Sequence, residues 1–298
     1  MKYRALLFIA LTSCAILPFA LLASNPAPPT PDALNSGALN PAALTTETQF
    51  ESPFTPKELK WLGKKQALTY VYDPDWAPFE WKGDANNHTG IISDILSLIS
   101  NKTGITFTPI HTNTWKESVE LVKSGKVDMF SAITKNKTRE SYLNFTLKDI
   151  YSYPAVLITK FDDKAVYINI EKDFNGKKVG IVKSSGLGRY IKESHPNIEY
   201  VELENTQAGF ASIRNNTIDV FAINTVTAKY FIEKKGFDDL KIALKLDYLY
   251  HLKIAIRKDM PNEIISILNK SLKSITEEEL HHIFIKWTQA PAEKVTNW

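Results

Sequence analysis

Two stretches of this sequence repeat one pattern, and the repetition restricts the fold more than any other feature. Residues 115–134 (WKESVELVKSGKVDMFSAIT) and 206–225 (TQAGFASIRNNTIDVFAINT) both run from a helical pattern through a polar turn and an aspartate into an apolar strand. Further predicted elements alternate around each copy, among them helix 91–103 and the strands 67–72, 178–182 and 240–244. Such alternation is typical of α/β proteins. We therefore expect two α/β units in one chain.

Two apolar, β-branched segments are predicted to join these units. They are 153–160 (YPAVLITK) and 252–257 (LKIAIR). The predicted fold is a two-lobed α/β clamshell with two crossing hinge strands, in which the first lobe resumes after the second. Ligands of such folds bind in the crevice at the carboxyl ends of the strands. The boundaries we assign are lobe 1 at 54–157 plus 254–290, lobe 2 at 158–253, and a tail at 291–298.

The amino terminus is interpreted as a targeting segment. A basic start, MKYR, precedes the apolar run 5–23, so residues 1–24 are predicted to be a signal peptide or an anchor. Cleavage near Ala23 is our first choice and an uncleaved anchor the second. A third alternative is a lipoprotein acylated at Cys14, within LTSC. All three place the remainder outside the cytoplasmic membrane, in the periplasm, with membrane attachment only through this segment.

Composition narrows the functional classes. Residues 25–53 are rich in Pro, Ala, Thr and Asn, have no hydrophobic periodicity and are predicted to be a disordered linker. The net charge of +3, without a run of basic residues, argues against nucleic acid as a partner. Cys14 is the sole cysteine, so the predicted folded part has neither a disulfide nor thiol chemistry, as suits an exported protein.

Arg139 is the candidate binding residue that the pattern itself indicates. It follows the strand of the first repeat on a polar turn, 131–139, and the apolar residues of 142–145 would fasten that turn to a core. A guanidinium held in such a place can bind a carboxylate with two parallel hydrogen bonds. The alternative is an ordinary surface charge, and the arginine alone does not decide between them.

The sequence offers little for catalysis. Its six histidines lack metal-ligand spacing, and no serine or cysteine nucleophile motif or phosphate-binding loop occurs. We predict that the protein is not an enzyme and needs no cofactor or metal. Because some proteins on this kind of fold are dehydratases of small carboxylates, that activity stays as a less favoured alternative.

From residue 54 to about 287 the chain resembles the type-2 periplasmic solute-binding proteins of the amino-acid-binding class, the bacterial extracellular solute-binding family 3. Within it, the sequence is most similar to the Venus-flytrap sensor modules of hybrid histidine kinases. The motifs that match, in chain order, are FTPKELKWL, DPDWAPFEW, TW.E....VKSGKVD, SAITKNKTRE.YLNFT and the terminal I..KW.

The resemblance implies a role for seven residues. Arg139 would bind a ligand carboxylate with the help of Thr134, while Trp76 and Trp115 would sandwich the body of the ligand. From lobe 2, Ser185 and Gly186, next to Ser184, would offer backbone N–H groups at a helix start. Asn224 stands where amino-acid binders commonly have an aspartate for the ligand's ammonium group. That difference puts an amino-acid ligand in doubt.

The predicted function is binding of a small, carboxylate-bearing solute, amino-acid-like or an organic acid, by closure of the clamshell. Two kinds of partner follow: an ABC permease for uptake, or a membrane sensor kinase or cyclase. The chain as written ends at Trp298 without a second apolar span or a kinase domain, which favours a free-standing binding protein as the expectation. Without a ligand in hand, the alternatives of uptake and sensing stay open.

Overall fold

Two long strands pair antiparallel and connect the two halves of the molecule. Their pairing runs from Leu240 opposite Lys160 to Leu252 opposite Tyr151. The structure is a computed structural model, and it describes residues 52–64 and 67–289 of the chain. The targeting segment, most of the linker and the tail predicted from the sequence lie outside these residues.

The strands divide a mixed sheet into two parallel parts and an antiparallel middle. In chain order they are β1 (Ala67–Val71), β2 (Asp75–Trp76), β3 (Glu80–Lys82), β4 (His88–Thr89), β5 (Thr106–Pro109), β6 (Met129–Thr134), β7 (Leu143–Phe145), β8 (Tyr151–Lys160), β9 (Lys178–Val182), β10 (Glu199–Leu203), β11 (Val220–Asn224) and β12 (Leu240–Arg257). The main sheet has the order β10-β9-β11-β8-β12-β6-β1-β5, with β7 beside β12, and β2, β3 and β4 form a small sheet.

The helices cover the two parallel parts. In chain order they are α1 (Pro56–Leu62), α2 (Ile91–Thr103), α3 (Trp115–Lys123), α4 (Lys137–Glu140), α5 (Ile170–Asp173), α6 (Gly186–Ser194), α7 (Thr206–Arg214), α8 (Thr225–Lys234), α9 (Asn262–Ser274) and α10 (Glu277–Thr288). Within 52–64 and 67–289, no helix is long and apolar enough to cross a membrane.

The predicted two-lobed architecture is confirmed. Strands β1, β5 and β6 are parallel to one another and form lobe 1, whereas β9, β10 and β11 are parallel and form lobe 2. Strand β8 lies beside β11 of lobe 2, β12 lies beside β6 of lobe 1, and the two pair with each other. The small sheet β2–β4 packs on α2 and so belongs to lobe 1.

Local sequence explains where several helices begin. Thr55 and Glu58 form a capping box at α1, in which each side chain accepts a hydrogen bond from the other residue's backbone N–H. Thr114 caps α3 through its hydroxyl, which accepts from the backbone N–H of Glu117 at 3.1 Å. Because Thr114 is the N-cap, Trp115 is the first residue of α3.

Two local predictions need correction. The segment 131–134, predicted as part of a polar turn, is the second half of β6 and is fully buried. It tolerates burial because Ile133 and Thr134 pair with β12, while the hydroxyl of Ser131 hydrogen-bonds to the carbonyl oxygen of Val71 and to the Glu80 carboxylate. The segments 240–244 and 252–257, predicted as separate strands, are the two ends of one strand, β12, with shifts in register between them.

The core passes through both lobes. One cluster of buried apolar side chains includes Met129 of lobe 1, Leu157 and Leu252 of the crossing strands, and Val179 of lobe 2. A smaller cluster is formed around Phe210 of lobe 2 and includes Ala77 of lobe 1. Because the crossing strands contribute to the shared cluster, the lobes are hinged through a packed seam and not through a flexible linker.

Candidate functional site

Arg139 lies at the carboxyl end of β6, where the first repeat predicted it. The helical turn α4 begins at Asn136, whose side-chain oxygen accepts a hydrogen bond from the backbone N–H of Arg139 at 2.9 Å. Its Nη1 donates to the carbonyl oxygen of Thr134 at 2.7 Å and to the Thr134 hydroxyl at 2.8 Å. These bonds fix the guanidinium at the end of the strand.

Within the part of the chain that the structure describes, this guanidinium is buried without a counter-ion. The side chain of Arg139 is only 4 % exposed. Burial lowers the pKa of Arg139 to about 10, which still leaves it charged at neutral pH. Among the described residues no carboxylate lies within 4.0 Å of it, and its acceptors are neutral oxygens. A buried charge without an ionic partner is costly, so the site favours an incoming anion.

Lobe 2 meets Arg139 through the turn before α6. The carbonyl oxygen of Ser184 accepts from Trp115 Nε1 at 3.2 Å and from Arg139 Nη2 at 3.3 Å. Ser184 has a positive φ of 60°, which turns this carbonyl towards lobe 1. Ser185 caps α6 by accepting from the backbone N–H of Gly188 at 2.9 Å. The cleft is therefore closed, with direct contact between the lobes.

Gly186 permits this closure. A Cβ atom at position 186 would lie 2.3 Å from the Thr134 hydroxyl and 3.4 Å from Arg139 Nη1. Any larger residue would therefore push the opening of α6 away from the guanidinium. The φ of Gly186 is not in the left-handed region, so the backbone conformation does not require a glycine here. The lack of space for a Cβ atom does.

A cavity of about 50 Å³ lies between the lobes at this point and opens towards the solvent. Its walls are formed by Asp73, Trp76, Trp115, Ala132, Ile133, Thr134, Arg139, Val182, Ser185, Gly186, Thr206, Ala222, Ile223 and Tyr250. Six of the seven residues predicted to bind ligand thus lie around one cavity. Their contact with a ligand stays a prediction.

The seventh, Asn224, does not reach the cavity wall. It is fully buried at the end of β11. Its side-chain oxygen accepts from the backbone N–H of Thr227 at 2.8 Å, and its Nδ2 donates to the Thr227 hydroxyl at 2.9 Å. Both ends of the amide are thereby used to cap α8. Asn224 therefore positions a helix in this closed form, and its contact with a ligand stays a prediction.

The two tryptophans differ in their surroundings. Trp76 packs against Phe79, with ring centroids 5.0 Å apart, and lies 6.1 Å from Tyr250. Trp115 packs on Phe130 at 5.6 Å, and the Arg139 guanidinium lies 5.9 Å from its ring centroid. Each has one side against the core while lining the cavity, so each can offer a flat apolar wall.

Sequence reasoning missed Asp73. Burial raises the pKa of Asp73 well above its usual range, and the charges of Glu80 and Asp75 raise it further. The backbone N–H of Asp73 donates to the buried Glu80 carboxylate at 3.0 Å, which fixes the start of the loop. The signal was present in the sequence, because Asp73 directly follows the first predicted strand. Tyr250, near the middle of β12, also lines the cavity.

The arrangement presents a fixed cation, an acidic group and two indole walls. Across the described ranges no group of three histidine, cysteine, aspartate or glutamate residues is placed to hold a metal ion. Of the hydroxyl groups on the cavity wall, that of Thr134 accepts from Arg139 and that of Ser185 accepts a helix N–H. These two hydroxyls help to hold the site together, and the cavity wall also carries the hydroxyls of Thr206 and Tyr250.

Comparison with known proteins agrees with this geometry. The family model of bacterial extracellular solute-binding proteins, family 3, matches residues 68–290. The virulence sensor protein BvgS of Bordetella pertussis is 27% identical over 236 residues, which cover 78% of this chain and 19% of BvgS. The ABC transporter arginine-binding protein 1 of Escherichia coli K12 is 24% identical over 216 residues, 70% of this chain and 85% of that protein. The chain thus spans about a fifth of its sensor relatives.

Solved structures show the same fold. The periplasmic VFT2 domain of B. pertussis BvgS superimposes with a TM-score of 0.70 at 26% identity, covering 78% of this chain and 98% of that domain. A mutant of the arginine-binding protein ArgBP from T. maritima superimposes with a TM-score of 0.67 at 18% identity, covering 77% and 98%. At that identity the second similarity supports the fold alone.

Proposed function

The chain belongs to the bacterial extracellular solute-binding proteins, family 3, and on that premise we propose that it closes around a small solute that bears a carboxylate. The observation that supports this most is the buried Arg139, which is charged and has only neutral acceptors among the described residues. A carboxylate at this point would supply the missing counter-charge and accept two charge-assisted hydrogen bonds.

We propose that the other end of the solute carries a cationic group or a strong hydrogen-bond donor. Asp73 is an acidic group on the same cavity, and its pKa is raised because it is buried near other carboxylates. A cation beside Asp73 would stabilise its charged form, which burial and the nearby carboxylates disfavour. Asn224 stands where amino-acid binders commonly have an aspartate. Asp73 of lobe 1 can instead pair with the cationic group of the solute. The apolar walls Trp76 and Trp115 suit the body of an amino-acid-like molecule.

The assignment to sensing rests on the relatives. BvgS and the sensor protein EvgS of Escherichia coli are sensors, and both match more than three-quarters of this chain. We propose that the module acts outside the cytoplasmic membrane, with its closure read by a membrane kinase. Delivery to an ABC permease is the second candidate, favoured by the similarity to arginine-binding protein 1. We propose binding without turnover, since the family model that matches is one of solute-binding proteins.

A screen of solutes tests the binding proposal. The purified protein is heated with single amino acids, including arginine and glutamate, with their decarboxylated amines, and with dicarboxylic acids, while its melting temperature is recorded. We expect stabilisation by at least one carboxylate and none by its decarboxylated analogue. Stabilisation by neutral sugars alone would overturn the proposal. Calorimetric titration of the stabilising solute then gives its affinity.

A further inference from the structure

Asp75 of lobe 1 makes a hydrogen bond to the beginning of a helix in lobe 2. Its Oδ2 accepts from the backbone N–H of Gln207 at 2.9 Å, and the nearby backbone N–H of Thr206 also favours the charged carboxylate. The two partners lie 132 residues apart in the sequence. Asp75 is on β2, part of the small sheet, whereas α7 packs on β9 and β11. The contact therefore exists only while the lobes are together.

The beginning of α7 leaves room for such a partner. A helix start has backbone N–H groups without acceptors inside the helix. The side chain of Asn205, the N-cap residue, accepts from Ala208 N–H at 2.8 Å. The N–H of Gln207 donates to Asp75, and that of Thr206 also lies beside this carboxylate. The positive end of the helix dipole also favours a carboxylate at this point.

Neighbouring residues extend the contact. Ala77, two residues further along the same loop, is buried in the apolar cluster of lobe 2 that contains Phe210 of α7. Trp81 packs against that cluster as well. The loop 75–81 of lobe 1 therefore docks on lobe 2 with both a carboxylate and apolar side chains. Burial raises the pKa of Asp75, which is the cost that the two helix N–H groups offset.

Asp75 does not line the cavity, although Asp73 and Thr206 do. We propose that Asp75 is a positioning residue that stabilises the closed arrangement of the lobes by capping α7, without touching the solute. This inference rests on the proposed function, because a bias between open and closed forms matters only if closure accompanies binding. A solute that binds the closed form gains apparent affinity in proportion to the population of that form.

The test measures the lobes without any solute. Cys14 is replaced by serine, and spin labels are attached at Lys123→Cys on lobe 1 and Glu193→Cys on lobe 2, both exposed positions. Pulsed electron spin resonance then gives the distribution of distances between the labels. We expect D75A to lower the ratio of the short, closed distance to the longer one by about three- to tenfold, as for loss of a charged helix cap. D75N, which keeps an acceptor oxygen without the charge, should fall between D75A and the unsubstituted protein.

The control is D84A, which removes an exposed carboxylate from the turn of the same small sheet. Its distance distribution should match that of the parent protein. The proposal is overturned if D75A matches D84A, or if the parent protein shows no short distance. Circular dichroism melting identifies a variant that fails to fold, in which case D75N decides. If D75A leaves the distances unchanged, binding of a solute by Arg139 is not contradicted. If no carboxylate stabilises the protein in the solute screen, the distances measured here are still valid.

Discussion

Arg139 of lobe 1 donates a hydrogen bond from Nη2 to the backbone carbonyl of Ser184 in lobe 2, across 3.3 Å. The same carbonyl accepts from Trp115 Nε1. A neutral oxygen of the protein thus stands beside the group that we expect to bind the solute's carboxylate. Since a charged acceptor forms a stronger bond to a guanidinium than a neutral carbonyl does, a carboxylate should displace this contact and take its place.

The first prediction concerns Arg139 itself. R139A should weaken binding of the solute found in the screen by about 30-fold or more, equivalent to roughly 2 kcal/mol, because the anion would be buried unpaired. R139K should recover part of this loss, since it restores the charge without the planar fork. Calorimetric titration measures both. R214A, which removes an exposed arginine paired with Asp239, is the control and should bind normally.

The second prediction separates closure from folding. G186A should keep each lobe folded but hold the cleft open, because the added Cβ would meet the Thr134 hydroxyl at 2.3 Å. We expect a large loss of affinity with a melting temperature within a few degrees of the parent's. Combining it with T134A removes the clashing oxygen and should restore part of the closed population. Unchanged affinity in G186A would show that the lobes need not meet at this point.

The third prediction concerns Asn224, which the sequence placed among the ligand contacts. N224A should lower the free energy of unfolding by about 1–2 kcal/mol through loss of the α8 cap, yet leave the affinity of correctly folded protein nearly unchanged. N224D keeps a capping oxygen and should be milder. Urea unfolding and calorimetry distinguish these effects. A large fall in affinity without a change in stability would show that Asn224 contacts the ligand.

The fourth prediction concerns the pKa of Asp73. Burial and neighbouring carboxylates raise this pKa in the closed cleft, and a solute cation beside Asp73 should lower it again. At a pH where Asp73 is protonated, binding of a cationic solute should then release protons, and its affinity should rise as the pH passes through the pKa of Asp73. Titration in two buffers with different ionisation enthalpies measures the release. D73N should abolish it, and equal heats in both buffers would contradict the role.

The fifth prediction concerns stability in acid. Burial alone would raise the pKa of Glu58, but hydrogen bonds from Lys270, Ser266 and Thr55 outweigh it and lower the pKa to about 2. Because the folded pKa is below the ordinary value of 4.5, this stabilisation is present above about pH 4.5 and is lost as the pH falls towards 2.

The matching experiment compares E58Q with the parent protein by urea unfolding at several pH values. E58Q should cost about 1–3 kcal/mol at pH 7, and the difference should shrink as the pH approaches 2. Glu278 on α10 is exposed and meets only His282 as a salt-bridge partner among the described residues, so E278Q is the control and should change little. A difference that does not vary with pH would show that Glu58 acts by packing and not by charge.

The sequence located most elements because their signals are local. The bounds predicted for α2, 91–103, and for β9, 178–182, are those of the structure. Hydrophobic period and capping residues act within a few positions, so they are readable from the chain. The errors lie where tertiary pairing overrides them. The polar residues of 131–134 continue a central strand, and β12 runs through a stretch that reads as two strands with a turn between them.

The same distinction between local and tertiary signals applies to the residues of the site. The repeat placed Arg139 at the end of a strand, and the resemblance added its partners. Whether a side chain faces a cavity or caps a helix depends on contacts between distant segments, which no local pattern records. Asn224 hydrogen-bonds to Thr227, whereas Asp73 and Tyr250 line the cavity.

The sequence by itself therefore determined that the chain builds two α/β lobes with an arginine at the strand ends of the first, because periodicity and strand–turn order are written along the chain. Only the tertiary structure decided which oxygens meet that arginine, and that Asp75 caps a helix of the opposite lobe. Such pairings depend on how two separately folded surfaces come together, and a charge's environment is fixed only once water has been excluded between them.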